Sequence, residues 1–172
     1  TRRGRTGGSF VRIPDGPPLD VLRARLVGMT GFALRDMVDE HSAIASEAAH
    51  LAAQRASATN IRQLFTYTEQ LRTAGTLGAR VRADSRFHIE LAVAAQSERL
   101  TRQEVRLQGE VAGMLWLPVG APIDIEGVVA DHHHLMRPHA DGGGEGKHAV
   151  RRRLGVRHRI VPEDVGEEIG EP

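Results

Sequence analysis

From Leu19 onward apolar residues return every three or four positions, the period of helices that bury one face. "VLRARLVGM" reads as a short first helix, and Thr30 is placed to cap the long one that follows. Within that second helix Met37, Ile44, Ala48 and Leu51 mark the expected buried line. Ser57 offers an N-cap for "ATNIRQLFTYTEQLRTA", and Gly75 and Gly78 separate this stretch from a fourth helix. "SERLTRQEVRLQGEVAGMLWL" is a further amphipathic segment, closed by Pro118 and Gly120. Residues 124–140 and 146–161 predict the last two helices, split by "DGGGEG". No internal repeat is visible. Six to seven helices with short connections predict an all-α antiparallel bundle over residues 18–161.

The two ends break this pattern. "TRRGRTGGSFVRIPDGPP" is rich in Gly, Arg and Pro and does not support a helix. "RRGRTGGSFVRI" reads instead as the end of a β-hairpin, a Gly-rich turn followed by a short apolar strand. A lone hairpin is not stable in water, and the chain starts at Thr1, so residues 1–17 are expected to finish a domain that lies upstream. Residues 162–172 are acidic and are expected to be a disordered tail.

Composition sharpens the fold class. Aromatic residues make up only 3% of the 172, and Ala, Leu and Val fill the apolar positions, which suits close helix packing rather than a sheet. There is no cysteine, so neither a disulfide framework nor a thiolate metal site can form. The net charge of +1 hides an uneven distribution. Arg2, Arg3, Arg5 and Arg12 face a single Asp15 at the start, and Lys147, Arg151, Arg152, Arg153, Arg157 and Arg159 crowd the last predicted helix. A basic arm suits an anionic partner, although solvated charge runs are the commoner case. The best apolar run, "VAGMLWLPVGAPI", is too short for a membrane span, and the Arg-rich start has no apolar stretch behind it. A cytoplasmic protein that does not enter the membrane is expected.

The chemistry lies on the buried stripes. In "RADSRFHIEL", Asp84 and His88 stand one turn apart, on the line continued by Leu91 and Ala95. The stripe of the next-to-last helix runs through Ile125, Val128, Val129, Leu135 and Met136, so of the run "HHH" it is His132 that points inward. His139 continues that stripe, while His133 and His134 turn to other faces. Val150, Leu154 and Val161 draw a line that includes His158. Asp84, His88, His132 and His158 therefore project into one interior. A buried unpaired charge costs several kcal/mol, and a divalent ion is an economical partner, since imidazole and carboxylate suit zinc, nickel, iron or manganese. A single inward histidine is usually a hydrogen-bonded core group. An Asp/His pair joined by two further stripe histidines is a different case.

These residues resemble a known family. "RGRTGGSFV" resembles the wing that ends the winged-helix DNA-binding domain of GntR-type bacterial transcription regulators. "ASEAAHLAAQRAS", "DSRFHIELAVAAQ" and "VVADHHHLM" resemble, in order, landmarks of the effector-binding (FCD-type) domain of its FadR-like branch. The resemblance covers nearly all of residues 3–158, and the Asp-x-x-Phe-His element, Asp84 to His88, is its most specific part. It implies a helical bundle that forms a homodimer, binds a small carboxylic acid and controls a DNA-binding domain placed before it. Operator DNA would be met through that upstream domain, with Arg2, Arg3 and Arg5 of the wing beside it. The resemblance also implies a divalent metal held by Asp84, His88 and His132, with a further histidine.

The family's last histidine falls where this chain has Arg153 and Leu154. His158, one turn beyond, is the expected fourth ligand, with His134 and His139 as the alternatives. Three other positions depart from the family pattern: His41 stands where an Arg is usual, Ala45 where a Glu is usual, and Ser97 where an Asn is usual. The resemblance places His41 and Ser97 at the border of the effector region. Two other classes compete with a regulator. Two histidines and one carboxylate also describe a helical-bundle metalloenzyme, a hydrolase or a non-haem iron type. That reading wants a general acid or base near the metal, yet Asp131 and Glu145 fall off the inward stripes and no H-E-x-x-H element exists. The other rival is a plain helical scaffold whose polar interior is merely hydrogen-bonded. The expectation is a regulatory domain and not an enzyme.

Overall fold

Most helix starts in this chain are set by a short polar side chain that satisfies backbone N–H groups left over in the first turn. The computed structural model describes residues 18–117 and 122–136, together with the backbone of two short strands, β1 (Arg2–Arg3) and β2 (Ser9–Phe10). Six helices occupy the described residues: α1 (Leu19–Val27), α2 (Gly31–Arg55), α3 (Ala58–Thr73), α4 (Leu77–Ala94), α5 (Glu98–Leu115) and α6 (Ile125–Leu135). Thr30, Ser57, Thr76, Ser97 and Asp124 each accept a hydrogen bond from the backbone three residues on, opening α2 to α6 in turn. At α3 the cap is reciprocal, because Asn60 also accepts from the Ser57 N–H at 3.0 Å. The all-α class, the Thr30 and Ser57 caps and the separate short α1 agree with the sequence.

Three local expectations are corrected. Gly78 lies inside the first turn of α4 rather than in the connection before it, because Thr76 supplies the cap. The last predicted helix but one is α6, and it ends at Leu135 rather than near residue 140. In α2 the buried line is His41, Ala45, Ala48, Ala49 and Ala52, whereas Met37, Ile44 and Leu51 are half-buried along its border. Alanine lets two helix backbones approach closely, so the small residues take the contact and the bulky ones flank it. The expected helix over 146–161, the acidic tail, Pro118, Gly120, His139, His158 and Arg5 lie outside the described residues.

α4 is the hub. It packs against α2, α3 and α5, while α6 lies on α3 and α1 touches α5. Phe87 and Leu91 of α4, Leu64 and Leu71 of α3, Val111 of α5, Trp116 just after it, and Val129 of α6 form the buried core. The α4–α5 corner is tight. Gln96 takes a positive φ of 52°, the only non-glycine to do so among the described residues, and its side-chain amide donates to the Arg55 carbonyl at 2.7 Å. Arg55 in turn donates to the Ala95 carbonyl at 3.0 Å, tying the end of α2 to that corner. The hairpin region forms a two-rung antiparallel ladder, Arg2 opposite Phe10 and Arg3 opposite Ser9. Among the described residues no helix is long and apolar enough to cross a membrane.

Leu71 of α3 is fully buried in the hydrophobic core. Leu71→Ala is expected to cost about 2–5 kcal/mol through lost burial and the cavity left behind. Thermal unfolding followed by circular dichroism should show a melting temperature lower by roughly 10 °C.

Candidate metal centre

Four helices and the residue that caps α5 each send one or two polar groups into the core. α4 contributes Asp84 and His88, one turn apart, and α6 contributes His132. α2 contributes His41, α5 contributes Glu104 and Gln108, and Trp116 caps the end of α5. All of these side chains are buried; Asp84 is 1% exposed and Glu104 0%.

Asp84 is held from two sides. Its Oδ2 accepts from the Trp116 indole N–H at 2.8 Å, which leaves Oδ1 turned toward the histidines. His132 Nε2 lies 3.1 Å from that oxygen and His88 Nε2 lies 3.8 Å from it. One ligand atom from each of Asp84, His88 and His132 falls within 4.8 Å of the others. The His132 ring is fixed by stacking on Phe87, with centroids 3.7 Å apart and planes 7° from parallel. His88 meets both Phe87 and His132 edge-on. Phe87 is thus an apolar wall that backs the His132 ring and meets the edge of His88.

A second polar group adjoins the first. The Gln108 amide donates to Glu104 Oε1 at 2.7 Å and stands 3.3 Å from His41 Nε2. His41 Nε2 lies 3.7 Å and His88 Nδ1 4.0 Å from the same Glu104 oxygen. His41, His88 and Glu104 also bring one ligand atom each within 4.8 Å of one another. Glu104 Oε2, His41 Nδ1 and Gln108 Oε1 are buried without a hydrogen-bond partner among the described residues.

The donor set suits a metal. Bonds of 2.0–2.2 Å to a four-coordinate ion place neighbouring donor atoms about 3.4 Å apart, and 3.1 and 3.8 Å bracket that value. Two neutral imidazoles and one carboxylate are borderline donors of the kind zinc and nickel prefer. The Trp116 N–H on Asp84 is an outer partner that orients a ligand, as metal sites commonly require.

The sequence-derived residues divide as follows. Asp84, His88 and His132 come together, and His41 joins them through Glu104 and Gln108. Ser97 caps α5, accepting from the Leu100 N–H at 3.4 Å, about 10 Å along the helix axis from Glu104. His133 and His134 sit half-buried on other faces of α6, and the His133 ring lies 5.8 Å from that of Phe65. The hydrophobic pattern alone does not single out Glu104, Gln108 or Trp116. A signal exists: Glu104, Leu107, Gln108 and Val111 recur at helical spacing on the inward line of α5.

Residues 36–153 match the FCD domain, so the chain belongs to that family. The match bears out the resemblance, drawn from the motifs, to the FCD-type domain of GntR-type regulators of the FadR-like branch. A Mycobacterium gastri protein whose name describes it as an HTH-type transcriptional regulator, RmpR, is 45% identical over 139 residues, covering 80% of this chain and 51% of that protein. The chain spans about half the length of the curated relative it matches. No solved structure matches it.

Trp116→Phe keeps a large apolar ring but removes the donor to Asp84. With chelator present, the variant is expected to lose about 2 kcal/mol, because a buried carboxylate loses a hydrogen-bond donor. Chemical denaturation of both proteins in the same chelator measures this difference.

Proposed function

We propose that this chain is the sensing half of a DNA-binding regulator, holding one divalent ion through Asp84, His88 and His132 and responding to a small carboxylic acid. The reading rests above all on the convergence of Asp84 Oδ1 and a nitrogen of each imidazole, delivered by α4 and α6 into a buried space. Bound there, zinc, nickel or a similar ion supplies Lewis-acid positions for anionic oxygen ligands. Asp84 cancels one of the ion's two positive charges, and the remainder favours an acid. His158 is the fourth protein ligand in this reading. His41 lines the same interior as a hydrogen-bonding group, and Ser97 is its proposed companion on α5.

The upstream part of the protein carries the winged helix that reads operator DNA, and residues 1–17 finish its wing. The name of the M. gastri relative supports that assignment. The regulator works as a homodimer in the cytoplasm, where its DNA is.

Elemental analysis of protein never exposed to chelator should find at least one divalent ion per chain, with the Asp84-bound ion lost in Asp84→Ala and held more weakly in His158→Ala. Carboxylic acids that occupy the ion should raise the melting temperature, with about 2.7 kcal/mol of added stability at a hundredfold excess over the dissociation constant. Equal stabilisation of Asp84→Ala would remove the metal from recognition.

DNA binding by these 172 residues alone should be weak and steeply salt-dependent. Arg2, Arg3 and Arg5 offer phosphate contacts, which position a protein without reading sequence. Tight, sequence-selective binding in a mobility-shift assay would show that the reading element is misplaced.

A further inference from the structure

Glu104 presents a problem that the Asp84 centre does not solve. Its carboxylate is fully buried on α5, and two histidine rings face it at 3.7 and 4.0 Å. Both distances exceed those of a hydrogen bond. His88 shows why one ion does not serve both carboxylates. Its Nε2 faces Asp84 and its Nδ1 faces Glu104, and the lone-pair directions of the two ring nitrogens diverge. An ion on the first nitrogen is out of reach of Glu104. An outer-sphere role, with His88 Nδ1–H donating to Glu104, would need a contact near 2.8 Å, more than an ångström shorter than the 4.0 Å observed.

We infer that His41, His88 Nδ1 and Glu104 form a second cation position, so that His88 bridges two divalent ions. The inference rests on the reading of Asp84, His88 and His132 as metal ligands. The spacing of donors around Glu104 Oε1 is wider than hydrogen bonding wants and close to the roughly 3.4 Å edge of a four-coordinate site. Gln108 carries a further oxygen donor. Its Oε1 is buried without a hydrogen-bond partner among the described residues, and a half-turn of the amide exchanges it with the nitrogen now 2.7 Å from Glu104. With both positions filled, each ring nitrogen of His88 gives its lone pair to one ion, and the ring proton leaves to solvent.

The charge balance supplies a reason for the second ion. With one divalent ion beside Asp84, the positive charge left on that ion is weakened by the neighbouring Glu104 carboxylate, and so is its pull on an anionic effector. A second ion, offset by an imidazolate at His88, restores one net positive charge in the interior. His41, standing where the family pattern has an Arg, then contributes to cation binding instead of carrying a fixed positive charge.

The test uses the untagged full chain titrated with Co(II), followed by visible absorption, and analysed for metal after dialysis. The wild-type chain should saturate at two equivalents. Glu104→Gln and His41→Ala should each hold one, with unchanged helical circular dichroism. Saturation of the wild type at one equivalent overturns the inference without need of any variant, as would two equivalents in the wild type and in both variants. A single equivalent that Asp84→Ala loses and Glu104→Gln keeps leaves the proposed sensing site standing and removes only the second position. No Co(II) bound at all removes both.

Discussion

Two carboxylates, Asp84 and Glu104, sit buried in the helical interior, and much of the surrounding architecture serves to compensate them. Moving an ionised carboxylate into such a medium costs several kcal/mol even after relaxation. A stable fold therefore has to bring donors or cations to it. The Trp116 indole, three histidines and the Gln108 amide do this from α2, α4, α5, α6 and the end of α5. Helices far apart in the chain meet at one polar centre. Buried groups of this kind are costly to keep for stability alone, which is why their arrangement points to function.

The apolar frame is what makes that centre rigid. α4 touches three other helices and carries Asp84, Phe87 and His88 within two turns. Phe87 packs flat on His132, so the α6 donor cannot rotate without displacing a fully buried ring. The alanine face of α2 permits close approach to α4, and with it His41 reaches the centre rather than solvent. Rigid helices with interlocked side chains are better supports for a metal than loops.

The local elements were largely legible along the chain, since they depend on neighbours in sequence. Thr30 and Ser57 announce their helices because a side-chain oxygen three residues from a backbone N–H is a local arrangement. Asp84, His88 and His132 could be placed inward from their own helical periods, because each lies on a line of apolar residues in its own segment. In α2 the same method placed Ala48 correctly but set Met37, Ile44 and Leu51 on the line that Ala45, Ala49 and Ala52 occupy. Side-chain size indicates hydrophobicity but not how close a neighbouring helix will come.

The amino-acid sequence by itself thus determined the helical class, the capped boundaries and one Asp/His/His set, all consequences of periodicity and capping within single helices. Only the tertiary structure decided that Glu104 and His41 face each other, that Trp116 clamps Asp84, and that the two rings of Phe87 and His132 stack. These pairings span 63, 32 and 45 positions of chain, the differences between the residue numbers. No local period encodes such distances. They arise when α2, α4, α5 and α6 are packed at particular depths and rotations, which the close packing of the whole core sets at once.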